Sequence, residues 1–283
     1  MDKDYFETTK KSLFVTLSLV VLVVLIALIF SGQKEARIPK VITNKPLISE
    51  EENVVLGTFE TRSIKKTDRY VNFDIKYPYF FYASPEFNTE IKDFLETQAD
   101  AHSVNSKEAW LARYNTRTEG ENISEYPTGE EDKFYFFSDF EIVQSNSSYI
   151  SVIVHYGGFS GGAHGYENKV SYAYNLIDKK EIQLTDLFMG DPDYLVKISD
   201  YSKEYFKTIL EKKVKENFTE EDDPQAVQDY VSNSMMMIEN GTKPLADNFS
   251  VFSFTKDKIT VYFGQYQVGP YSDGMQQVEI SRQ

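Results

Sequence analysis

The longest apolar run in the chain, LFVTLSLVVLVVLIALIF at residues 13–30, is interrupted only by Thr16 and Ser18 and carries no charge. As a helix rising 1.5 Å per residue it would span about 27 Å, close to the ~30 Å hydrocarbon core of a bilayer. The pattern therefore predicts a single transmembrane helix. A cleaved secretory signal is the alternative, but its apolar region is typically about 7–15 residues long and ends at a small-x-small site. Here the run ends in Ile29-Phe30-Ser31-Gly32, with a bulky residue where a small one is wanted.

Downstream the pattern changes character. Residues 31–53 have no hydrophobic periodicity, contain Pro39 and Pro46 and close on Glu50-Glu51-Glu52, which predicts a linker. Val71, Phe73, Ile75 and Tyr77 alternate with polar residues as a half-buried strand does. Ser84-Pro85-Glu86 then supplies a cap, a first-turn proline and an early acid, followed by Phe87, Ile91, Phe94 and Leu95 at helical spacing. After a polar loop at 115–133, residues 134–143 and 149–156 read as strands joined across Ser145-Asn146-Ser147. Ile150, Val152, Val154 and Tyr156 lie on one face, with Ile153 and His155 on the other. Val170, Tyr172, Tyr174 and Leu176 alternate again.

Beyond Asp186, Asp191-Pro192 predicts the start of an amphipathic helix through Leu195, Ile198, Tyr205, Ile209 and Val214. Asp223-Pro224 predicts another through Val227, Tyr230, Val231 and Ile238. A hairpin turning at Lys256-Asp257-Lys258 and an edge strand near 277–280 complete the pattern. The fold expected is α+β: a tail at 1–12, a membrane helix at 13–30, a linker at 31–53, and two small α+β modules with antiparallel sheets at 54–185 and 186–283.

Composition supports folded modules of this kind, with 41% hydrophobic and 15% aromatic residues among 283. There is no cysteine, so an exported domain must be held by its core and not by disulfides, and no lipid-modified cysteine can anchor it. Lys3, Lys10 and Lys11 before the apolar run balance Lys34, Arg37 and Lys40 after it, so charge does not set the orientation. A signal-anchor at the extreme N-terminus most simply leaves the long C-terminal part outside the cell membrane. The net charge of −14 falls wholly beyond residue 30, which argues against nucleic acid as a partner and suits a cationic one.

Candidate chemistry centres on YGGFSGGAHG at residues 156–165. It contains Gly-x-Ser-x-Gly, but a nucleophile elbow needs a helix after the serine, and a strand pattern follows Ser160. A zinc site from His155 and His164 would need further ligands such as Glu167. The structural alternative is that Gly157, Gly158, Gly161, Gly162 and Gly165 provide positive φ or close backbone approach. No catalytic residue, metal ligand or cofactor is assigned, and the chain is expected not to be an enzyme. The alternative is a cell-wall polymer hydrolase or deacetylase-related enzyme. Trp110 and Met235-Met236-Met237 are read as core, while Tyr262, Tyr266 and Tyr271 suit either a binding face or sheet packing.

Three segments together, SGGAHG at 160–165, YNLIDKKEIQLTDLF at 174–188 and ITVYFGQYQVGPYSDGMQQVEI at 259–280, resemble the exported domain of the RsiV-type, lysozyme-sensing anti-sigma factors. They are also similar to the N-terminal accessory region of PdaC-type peptidoglycan deacetylases. The resemblance implies an extracytoplasmic ligand-binding domain that takes a cationic lysozyme-like protein or peptidoglycan. It does not bring the deacetylase's own catalytic domain, and the twelve-residue tail is short for gripping a sigma factor. The expected contact residues are Tyr156, Gly158, Phe159, Ser160 and His164 on the glycine segment, with Tyr266, Tyr271 and Asp273 near the C-terminus.

Overall fold

The computed structural model describes residues 59–282 apart from Asn122 and Glu220. The expected tail, membrane helix and linker lie outside the described residues. Among the described residues, no helix is long and apolar enough to cross a membrane.

Six strands form the first sheet in sequential order: β1 (Phe59–Ile64), β2 (Val71–Phe80), β3 (Phe134–Ser145), β4 (Tyr149–Phe159), β5 (Tyr166–Asn175) and β6 (Lys180–Glu181). All neighbours are antiparallel except β2 and β3, which run parallel with Val71 opposite Phe134. The expectation of purely antiparallel sheets is thus corrected. The reason lies between the two strands, where α1 (Pro85–Asn115) carries the chain back to the starting edge, the crossover that a parallel pair requires.

Helix α1 begins as its sequence dictates, with the Ser84 hydroxyl accepting from the Phe87 N–H at 3.2 Å. It runs well past the periodic stretch that announced it. Phe87, Ile91, Leu95, Ala99, His102, Ser106 and Trp110 recur every three or four residues and form its buried stripe. That stripe lies on Val71, Ile75, Phe80, Phe136, Ile150, Val152, Val154, Tyr172 and Tyr174 of the sheet. The helix is locked to β2 by Asn88, whose Oδ1 accepts from the Phe80 N–H at 2.7 Å and whose Nδ2 donates to the Phe80 carbonyl at 2.9 Å. The turn between β3 and β4 is likewise local chemistry, with Asn146 Oδ1 accepting from the N–H groups of Ser148 and Tyr149.

The described residues form two compact units. One contains residues 59–191 and regains the chain at Phe249–Gly264 and from Glu279 onward; the other contains Pro192–Asn248 and Gln265–Val278. The returning segment of the first unit supplies β7 (Phe252–Phe254) and β8 (Lys258–Phe263), an antiparallel hairpin with Phe252 opposite Val261. With β9 (Gln276–Ser281) they form a three-stranded sheet in the order β7-β8-β9. Strand β7 covers the face of the first sheet opposite α1, which explains why Ile153, on that face, is fully buried. Its own N–H groups are satisfied by serine hydroxyls of the sheet, Phe254 N–H donating to Ser151 at 3.0 Å and Phe252 N–H to Ser171 at 3.1 Å.

The second unit is built on α2 (Tyr194–Asn217) and α3 (Pro224–Gly241), packed on each other. Asp223 caps α3 through the Gln225 N–H, as expected, while α2 starts two residues beyond Pro192. The apolar face of α2 is carried by Ile198, Phe206 and Leu210, and the expected Tyr205 is 41% exposed. Met236 is 57% exposed, so the methionine run is not core. In both cases the spacing allowed two adjacent stripes, and burial follows the one that meets the neighbouring helix. Gly241 is held by close packing, because a Cβ there would lie 2.0 Å from the Gln267 carbonyl oxygen.

Candidate functional site

Strand β4 runs three residues further than its alternation suggested, through Gly157 and Gly158 to Phe159. Both glycines are required by close approach. A Cβ on Gly157 would sit 2.2 Å from the Tyr166 carbonyl oxygen, and one on Gly158 would sit 2.5 Å from that of Tyr135 and 2.7 Å from His102 Cε1. Gly161 and Gly162 instead adopt φ of +83° and +133° in the turn to β5. The glycine segment is therefore a strand end and a tight turn, and Ser160 is followed by β5 and not by a helix.

Behind Gly158 lies His102 of α1, only 2% exposed. Its Nδ1 is 3.0 Å from the Tyr166 hydroxyl, and its Nε2 has no hydrogen-bond partner. Burial pushes the His102 pKa below the ordinary histidine value, opposed by backbone groups of Phe159 and Tyr135. Burial also pushes the Tyr166 hydroxyl up to about 12. The neutral ring is thus the form this packing selects.

Beside the turn, the same elements enclose a cleft of about 580 Å³. Phe134, Tyr135 and Phe159, from the paired ends of β3 and β4, lie along it with Trp110 of α1. The Tyr135 and Phe159 rings stack at 6.3 Å and 28°, and Trp110 meets Phe134 edge-on at 5.9 Å. Tyr135 is 49% exposed, whereas Trp110 is 6% exposed and anchored by its indole N–H to the Ser124 carbonyl at 3.2 Å. That bond ties the polar loop at 115–133 against the helix, and Ile123, Ser124, Thr128, Glu131, Asp132 and Lys133 of this loop form the other wall.

Most charges of this wall are already committed. Asp132 accepts from the Thr128 hydroxyl at 3.0 Å and the Gly129 N–H at 3.1 Å, which hold its pKa below the usual carboxylate value. Lys133 is paired with Glu130 at 2.8 Å. Arg113, in the last turn of α1, also lines the cleft and makes no ion pair among the described residues.

The expected contact residues fall in different places. Phe159 lines the cleft. Gly158 is sealed against His102, and Tyr156 packs edge-on against Phe94 at 5.2 Å on the core face of the sheet. Ser160 and His164 lie on the turn, His164 exposed with its Nδ1 2.9 Å from the Gly165 carbonyl. His155 faces away from α1 beside Lys169, and among the described residues no three His, Asp or Glu side chains converge as a metal site. Tyr266, Tyr271 and Asp273 belong to the second unit, where the two rings are 5.7 Å apart and Asp273 is paired with Lys213 at 2.7 Å. Sequence reasoning missed Tyr135, Arg113 and the 123–133 wall, since an aperiodic loop gives no sign of what it folds against. The polarity and length of that loop were the available signal.

Two family models match the chain. The one described as "Deacetylase PdaC" covers residues 64–167, and the one described as "Protein of unknown function (DUF3298)" covers residues 185–283. A curated relative, the peptidoglycan-N-acetylmuramic acid deacetylase PdaC of Bacillus subtilis, is 23% identical over 226 residues, which is 80% of this chain and 40% of that protein. The chain thus spans less than half of that relative's length. Two crystal structures of DUF3298 proteins also match. That from Bacteroides fragilis is 17% identical, covers 81% of this chain and 92% of its own, and has a TM-score of 0.43. That from Pseudomonas aeruginosa is 14% identical, covers 79% and 90%, and also has a TM-score of 0.43.

Proposed function

We propose that the chain is a membrane-anchored, extracytoplasmic, non-enzymatic module that binds cell-wall glycan in the cleft between Trp110, Tyr135 and Phe159. One observation carries this reading. A concavity of about 580 Å³ combines an aromatic floor with a polar loop wall, the arrangement that takes the apolar face of a sugar ring while hydrogen-bonding its rim. The similarity to a protein whose name specifies peptidoglycan supports the choice of polymer. The anchor rests on the apolar run at 13–30 and the outward placement on the signal-anchor logic of an N-terminal segment.

The test is co-sedimentation of the full-length chain, in a non-ionic detergent, with purified insoluble peptidoglycan. Tyr135→Ala removes a half-exposed ring and should weaken binding about tenfold or more. Unchanged binding would rule the cleft out. A second reading, a cationic lysozyme-like protein as ligand, is supported by the net charge of −14. It predicts binding to lysozyme that weakens steeply between low and physiological salt. A wall-polymer hydrolase or deacetylase-related activity remains the competing class. Turnover of peptidoglycan, lost in Ser160→Ala, His155→Ala or His164→Ala, would establish it in place of a binding module.

A further inference from the structure

The charges around the cleft are unequal in what they have left to offer. The Asp132 carboxylate is held by Thr128 and Gly129, and the Lys133 ammonium by Glu130. Arg113 is the cationic side chain of the wall that makes no ion pair among the described residues, although the surrounding loop offers Glu119, Glu121, Glu125 and Glu131. A guanidinium at the last turn of a helix is favoured there by the helix dipole alone. Its place on the wall of an aromatic-floored cleft, in a chain of net charge −14, gives it a second role. The planar fork of a guanidinium matches a carboxylate bidentately.

Resting on the glycan reading, we infer that the cleft selects glycans bearing a carboxylate, with Arg113 as the group that recognises it and Tyr135 and Phe159 as the platform for the sugar ring.

The experiment compares N-acetylglucosaminyl-N-acetylmuramic acid, whose lactyl carboxylate is free, with its methyl ester, which keeps the lactyl ether and removes the charge. Binding to the full-length chain in a non-ionic detergent is measured by calorimetry. The acid should bind on the order of tenfold more tightly than the ester. Arg113→Gln should abolish that preference by weakening the acid on the order of tenfold and the ester much less, and Arg113→Lys should restore part of it. Equal affinity for acid and ester in the unaltered chain, or an equal loss for both in Arg113→Gln, overturns the assignment but leaves the glycan reading standing. Failure of both ligands to bind overturns the two together. An Arg113→Gln chain with lower thermal stability and an intact acid preference assigns Arg113 to the helix terminus alone and overturns its role in recognition.

Discussion

Lowering the pH should destabilise the first unit through His102, and the size of the effect follows from its packing. The ring is 2% exposed and its Nε2 makes no hydrogen bond, so a second proton puts a charge in a buried site that the backbone groups of Phe159 and Tyr135 only partly offset. A histidine whose folded pKa is depressed contributes stability that is present above the unfolded value, about 6.5, and lost as pH falls below it. For a native ring that stays neutral between pH 7.5 and 5.5, the unfolded chain alone takes up the proton. The loss over that window is then at most about 1.4 kcal/mol. Trp110 is the sole tryptophan and lies in the same unit, so its fluorescence isolates the relevant transition during denaturant unfolding. The quantity to compare is the pH dependence of the unaltered chain minus that of His102→Gln, which cancels His155 and the carboxylates. Parallel curves, or a His102 ring resonance titrating near 6.5 in the native protein, would refute the reasoning.

Other perturbations test the packing around the cleft. Gly158→Ala places a methyl 2.5 Å from a backbone oxygen of β3 and should cost about 1–3 kcal/mol, more than Gly165→Ala, whose Cβ would lie 3.0 Å from the Gly158 carbonyl oxygen. Denaturant midpoints read through Trp110 give the order. Asn88→Ala orphans both backbone groups of Phe80 at a site 4% exposed and should cost about 2–4 kcal/mol by the same readout. Glu90, whose pKa is pushed up to about 7 by partial burial and by sharing a hydrogen bond with Glu181, behaves in the opposite sense to His102. Its contribution is present at low pH and lost as pH rises through 7. Glu90→Gln should therefore be more stable than the unaltered chain at pH 8 and close to it at pH 4, as thermal melts at the two values will show.

The elements were legible wherever a local rule acts alone. Ser84 with Pro85, Asp223 with Pro224, and the alternation through Ile150, Val152 and Val154 each specify a cap or a strand face without help from distant residues. Tertiary choices were not. The run from Leu195 to Val214 permits stripes through Tyr205 or Phe206, and only packing selects Phe206. The parallel pairing of β2 with β3 depends on where α1 returns the chain. The cleft depends on a loop with no period, pinned to α1 by the bond from Trp110 to Ser124. Even the glycines divide by context, since Gly158 answers to the carbonyl of Tyr135 on the next strand and Gly162 to its own φ.

The most direct measurement is a titration of the full-length chain with soluble peptidoglycan fragments, followed by Trp110 emission. A cleft that holds glycan against Tyr135 and Phe159, beside the nearly buried Trp110 ring, predicts a saturable change in that emission, lost in Tyr135→Ala. Calorimetric binding of the same fragments with Trp110 emission unmoved would place the ligand elsewhere and contradict it.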